Sequence, residues 1–185
     1  MNNTKKSAAN LKRLTSSAVC LALCMLLPLI TGQNPMLGSA LGLMHIPVLL
    51  CGFAAGPAYA AVVGLIAPLM RSTLFGMPPL VPMAISMSYE LAAYGMISGT
   101  LYKALPKKIF FIYVSLVAAM LLGRVVFGMA MAVVTGSADT MGMFIAAARM
   151  FTIGAFVDAI PGIILHIALI PPVVAALRKA GLSAL

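Results

Sequence analysis

The sequence has no Walker A pattern, no GxGxxG fingerprint and no CxxC pair. Those motifs hold nucleotide phosphates, dinucleotides and redox or metal centres, so nothing marks the chain as an ATPase or a nucleotide-cofactor enzyme by itself. Tryptophan is absent and aromatic residues make up only 7%, a poor basis for stacking a large flat ring. Charged residues are just as scarce, at 8%, well below the share in a soluble domain. Cys20, Cys24 and Cys51 all fall in apolar runs. Cys20 and Cys24 share a helical face, but no further ligand stands near them. They read as small buried hydrophobes rather than a disulfide or a metal centre.

What remains is apolar. Of 185 residues, 63% are hydrophobic and the mean hydropathy is +1.11, which points to a polytopic membrane protein. A membrane helix needs roughly 20 apolar residues, so about six helices with short loops use the whole length and leave no room for a soluble enzymatic domain. The net charge of +9 raises nucleic-acid binding, but the basic residues are placed wrongly for it. Lys5, Lys6, Lys12 and Arg13 precede the first apolar run, Lys103, Lys107 and Lys108 share one loop, and Arg178 and Lys179 lie near the C-terminus. With a cytoplasmic N-terminus and an even number of spans, all of these face the cytoplasm, as the positive-inside rule expects. The expected fold is an all-α integral membrane protein with six transmembrane helices and cytoplasmic N- and C-termini. Residues 1–13 are expected to be a mobile basic tail, and residues 14–180 a single membrane domain.

The first span is placed at residues 14–30. A basic region before an apolar one also resembles a signal peptide, but the topology balances only if the segment stays. Ala18 and Ala22 lie on one helical face of this span. Small residues at that spacing let another helix approach closely, from this chain or from a partner subunit. Residues 31–44 are rich in Gly and polar residues and are expected to form an outer loop, long enough to fold back over the membrane mouth. The second span runs from His45 to Gly56-Pro57 and is short for a full crossing. The third covers 58–74, an outer turn 75–82, and the fourth span continues to 102 with Gly95 and Gly99 as a close-contact face. A cytoplasmic loop at 103–108 leads to the fifth span at 109–134. An outer turn at 136–140 and a short outer helix at 141–152 precede the last span at 153–177. Bends are expected there at Pro161-Gly162 and Pro171-Pro172.

Ionisable residues inside apolar spans are costly to bury and are functional-site candidates by default. Arg71, Glu90, Arg124, Arg149 and Asp158 all project to the outer half of the membrane on this topology. Arg124, for example, lies 16 residues beyond Lys108, a rise of about 24 Å in a core of about 30 Å. Arg71 and Arg149 also suit snorkelling to the interface. Glu90 suits an ion pair with Arg124, and Arg149 one with Asp158. If both pairs form, Arg71 is left as a free cation that can grip a carboxylate or phosphate through two parallel hydrogen bonds. Asn34, Gln33, Tyr89, Ser86 and Ser88 are candidates for neutral hydrogen bonds around it, and Tyr94 for stacking or packing. His45, at the outer edge, and His166, deep in the last span, read as hydrogen-bonded structure. The 15 Met residues are scattered over all spans, which fits adaptable packing better than copper handling.

These residues carry a family resemblance. The basic N-terminus leading to Ala18-x-x-x-Ala22, the run HIPVLLCGFAAGPAYAAVVGLIAPLMRS, the turn FGMPP followed by SYELAAYG, and the ending IPGIILHIALIPP cover most of the chain. Together they resemble the substrate-binding S components of energy-coupling-factor (ECF) vitamin transporters. The resemblance implies six helices, a vitamin or related micronutrient bound near the outer face, and no ATPase of the chain's own. It implies as partners a transmembrane coupling protein, docked on Ala18 and Ala22, and two ATPase subunits. It also implies toppling of the S component in the membrane to release cargo inside. The substrate does not carry over. A leftover Arg favours an acid such as pantothenate, folate or niacin, and the scarcity of aromatics puts pantothenate first. Pyridoxine, hydroxymethylpyrimidine and cobalamin stay open.

Two other classes compete. A self-sufficient proton-coupled secondary transporter of a small organic acid would use Glu90 or Asp158 as its proton site, but no inverted repeat is evident. An intramembrane enzyme would need metal ligands or a nucleophile and base on facing helices. His45 and His166 are expected near opposite sides of the membrane, which argues against a shared site.

Overall fold

In the computed structural model of the chain, every regular element among the described residues is helical. Described are residues 2–31, 41–106, 108–136, 141–142, 145 and 153–181, with the backbone alone for 2–5, 31 and 153–159. The helices are α1 (Asn2–Leu26), α2 (His45–Ala54), α3 (Pro57–Phe75), α4 (Ile85–Ala104), α5 (Ile109–Val134) and α6 (Ile153–Lys179). A 3₁₀ turn at Leu27–Thr31 follows α1, and a π-helical turn at Leu80–Ala84 leads into α4.

Each helix buries a stripe at helical spacing. In α1 it is Ser17, Cys20 and Cys24; in α3 Ala60, Gly64, Ala67 and Arg71; in α5 Ile112, Leu116, Ala119, Gly123 and Phe127; in α6 His166, Ile170 and Val174. The other faces stay apolar and exposed, through Val62, Ile66, Leu121 and Ile164 for example. An apolar outward face with polar groups turned inward is the arrangement a bilayer demands. Among the described residues, five stretches are long and apolar enough to cross a membrane: Lys6–Ile30, Pro57–Phe75, Leu80–Ala104, Ile109–Val134 and Ile160–Lys179. The chain is thus a multi-pass membrane protein.

The second span differs from a full crossing. α2 has 10 residues, a length of about 15 Å. Every one of its residues except Leu50 is buried, as expected of a helix that is apolar all round. It touches α1, α3, α4 and α6 and belongs to both apolar clusters, through Val48 and Cys51 on one side and Leu49 and Phe53 on the other. Small residues admit its neighbours. A methyl group on Gly99 would sit 2.8 Å from the Gly52 carbonyl oxygen, and one on Gly95 2.7 Å from the Ala60 Cβ. The paired glycines expected to make close contacts do so, against α2 and α3.

The basic segment 2–13 is helical, since α1 begins at Asn2: Ala8, Ala9, Leu11 and Lys12 are good helix formers and neither Gly nor Pro interrupts them. α6 is continuous through Pro161, Pro171 and Pro172, so the bends expected there do not end the helix; neighbouring helices let a membrane helix tolerate proline. The Lys12 ammonium meets the Gly181 carbonyl, which brings the basic end of α1 beside the C-terminal end of α6. The proposed outer helix at 141–152 lies mostly outside the described residues.

Candidate functional site

The helices end at recognisable stops. Pro57 follows Gly56, whose φ of 107° suits glycine, and opens α3; Gly76, at φ 71°, closes it with its N–H on the Ser72 carbonyl. Counting inward from the Gly56-Pro57 turn, the Lys103–Lys108 loop and Lys179 puts the polar residues within a layer about 8 Å deep. His45 lies roughly 16 Å along α2, Glu90 and His166 roughly 20 Å along α4 and α6, Arg71 roughly 21 Å along α3 and Arg124 roughly 24 Å along α5.

Glu90 is the centre of this layer and is 1% exposed. Its Oε1 accepts a hydrogen bond from the Tyr94 hydroxyl at 2.9 Å, one turn along α4. Arg124 Nη1 stands 3.5 Å from the same oxygen, and His45 Nε2 stands 3.6 Å from Oε2. Burying a carboxylate costs several kcal/mol unless a countercharge and donors offset it, and these three groups from three helices provide that. The expected Glu90–Arg124 ion pair forms. Glu90 is sealed, while the Arg124 side chain is 36% exposed, so the cluster reaches the surface on the α5 side. Gly123 leaves the space for Tyr94, whose ring occupies the volume a Cβ there would fill.

The expectation that His45 and His166 lie on opposite sides of the membrane is overturned. Their ring centroids are 6.2 Å apart. The reason is the shortness of α2: its first residue reaches only mid-depth, where α6 places His166. His166 Nε2 lies 3.2 Å from the Gly42 carbonyl, just before α2 begins. His45 packs on Tyr94 at 5.3 Å between ring centroids.

Arg71 pairs with no carboxylate among the described residues, but its guanidinium is engaged. It is 3% exposed, donates from Nη1 to the Met25 carbonyl at 3.0 Å, and lies 5.3 Å over the Phe75 ring. Met25 is in the last turn of α1, where carbonyls lack helical partners and the dipole favours a cation. Ser86 and Ser88 donate to the carbonyls of Pro82 and Ala84, so their protons are already used. Tyr89 is 53% exposed, on the outward stripe of α4 with Met96 and Thr100, and does not join the cluster. Gln33, Asn34 and Arg149 lie outside the described residues, and only the backbone of Asp158 is described. The Arg149–Asp158 pair therefore stays an expectation. Ala18 and Ala22 are exposed on α1. The three cysteines are free and buried, as small core residues would be.

Long apolar helices around a buried ionic cluster define a multi-pass membrane protein with a polar layer in its interior. The family model for the substrate-specific component of ECF transporters matches residues 12–174. That is most of the chain, and the chain belongs to this family. No curated protein and no solved structure matches it. Family members are substrate-binding subunits of membrane transporters rather than enzymes.

Proposed function

We propose that this chain is the high-affinity substrate-binding subunit of an ECF importer. On this reading it captures a vitamin or related micronutrient at the outer face and delivers it inward with a separate coupling protein and two ATPase subunits. The family match over residues 12–174 carries the reading, and the polar layer gives it a place to act. Residues 14–180 act as one membrane domain with both termini cytoplasmic; the contact of Lys12 with Gly181 and the basic character of both ends support that orientation. The exposed Ala18 and Ala22 form the coupling face.

The binding residues are Glu90, Arg124 and Arg71, with Asn34, Arg149 and Asp158 from the outer side. Pantothenate is the first candidate cargo. Its carboxylate suits the donors of Arg71 beyond the one given to Met25, and its lack of an aromatic ring suits a chain without Trp. The test is calorimetric binding by the purified full chain against pantothenate, niacin, folate, pyridoxine, hydroxymethylpyrimidine and cobalamin. One member should bind tightly without partner subunits. A folded, monodisperse chain that binds none of them contradicts the proposal.

A further inference from the structure

Nδ1 of His45 and Nδ1 of His166 are buried in the polar layer with no hydrogen-bond partner among the described residues, and so is Nε2 of His45, which faces the Glu90 carboxylate at 3.6 Å. Their side chains come from α2 and α6, and the residues are 9% and 4% exposed. The Gly42 carbonyl can only accept, so the proton of His166 sits on Nε2 and Nδ1 presents a lone pair. His45 turns Nε2 toward the Glu90 carboxylate; in a neutral ring with its proton on that side, Nδ1 is an acceptor too. An unmet polar group inside a bilayer is expensive, because no bulk water is at hand to satisfy it. Here two stand side by side, next to a carboxylate that is already countered.

Gly42 lies against both rings: a methyl group there would sit 3.3 Å from His45 Nδ1 and 3.2 Å from His166 Cε1. Its φ of 55° is the left-handed conformation that glycine adopts readily. Gly42 thus puts no side chain between the two rings.

We propose that these two imidazole nitrogens are hydrogen-bond acceptors for the cargo, and that the cargo is a small solute presenting N–H or O–H donors rather than one held through an anionic group alone. This rests on the substrate-binding reading given above. Arg124 is turned to Glu90 and Arg71 gives one hydrogen bond to Met25, while these imidazole nitrogens stand open as acceptors.

The experiment pairs a donor-free probe with two kinds of substitution. Nicotinate carries a carboxylate and no N–H or O–H donor; pantothenate and pyridoxine carry several. Wild-type chain should bind a donor-bearing member of the panel and not nicotinate. His166→Gln keeps a donor near the Nε2 position toward Gly42 but removes the acceptor, and should weaken binding about tenfold or more. His166→Asn places an amide oxygen near the Nδ1 position, gives up the tie to Gly42, and should retain most of the affinity. A purely structural role for His166 predicts the opposite order. His45→Gln and His45→Asn give the same comparison on the other ring should a His166 variant not fold. Nicotinate as the sole ligand, or unchanged binding in both Gln variants, overturns this inference and leaves the transport reading standing. A folded chain that binds no member of the panel overturns both.

Discussion

Gly123 is the described glycine at which an added methyl group meets the shortest contact, with Tyr94 Cε1. A Cβ there falls within the ring of Tyr94 and 3.2 Å from its Cγ. Tyr94 is 2% exposed and tied to Glu90, so the ring cannot swing aside without breaking that bond. Overpacking of this kind costs about 1–3 kcal/mol. Losing a hydrogen bond to a buried carboxylate adds about 1.5–3 kcal/mol. Ala in place of Gly returns about 1 kcal/mol of helix propensity. Gly123→Ala should therefore destabilise the chain by about 2–5 kcal/mol. In a Tyr94→Ala background the obstacle is gone, and the same substitution should cost nothing or stabilise slightly. The assay is a double-mutant cycle on reversible unfolding in mixed micelles, with the midpoint read by circular dichroism. An equal penalty in both backgrounds would refute the placement of Tyr94 between Gly123 and Glu90.

Three further outcomes follow from the same geometry. Arg71→Ala should lower the unfolding midpoint, by about 1–2 kcal/mol for the lost contact at the end of α1, and should also weaken cargo binding; unchanged affinity would mean that Arg71 serves α1 alone. Ala18→Trp combined with Ala22→Trp should abolish uptake while leaving the dissociation constant of the purified chain unchanged, because both residues are exposed on α1; a matching loss of binding would place that face inside the site. Cys20, Cys24 and Cys51, all buried, should resist a water-soluble maleimide in the intact protein and react after denaturation in detergent, as read by mass spectrometry; ready labelling of the native chain would contradict the packing of α1 on α2.

Much of the architecture could be read from residue order, because apolar run length and Gly, Pro or Lys breaks act locally. The fifth span was expected at 109–134 and α5 occupies Ile109–Val134. The Glu90–Arg124 pair was accessible by the same route, through rise per residue from the Lys103–Lys108 loop. Two other features depended on what lies across the helix. His45 was placed at the outer edge because a span was assumed to reach both surfaces, whereas α2 stops at mid-depth. Measuring from Gly56 and from Lys179 brings His45 and His166 to one level, and that arithmetic was open to the sequence alone. The engagement of Arg71 with the Met25 carbonyl was not open to it, since no local pattern says where the end of α1 comes to rest against α3. The contact of Tyr94 with Gly123 likewise needs the packing of α4 on α5.

The central claim is that the chain binds its solute alone and moves it only with an energising module. It is tested most directly in proteoliposomes loaded with ATP. Uptake of the radiolabelled cargo should appear when the coupling protein and ATPases are co-reconstituted with this chain, and should vanish without ATP. Uptake driven by a proton gradient in vesicles holding this chain alone would contradict the account.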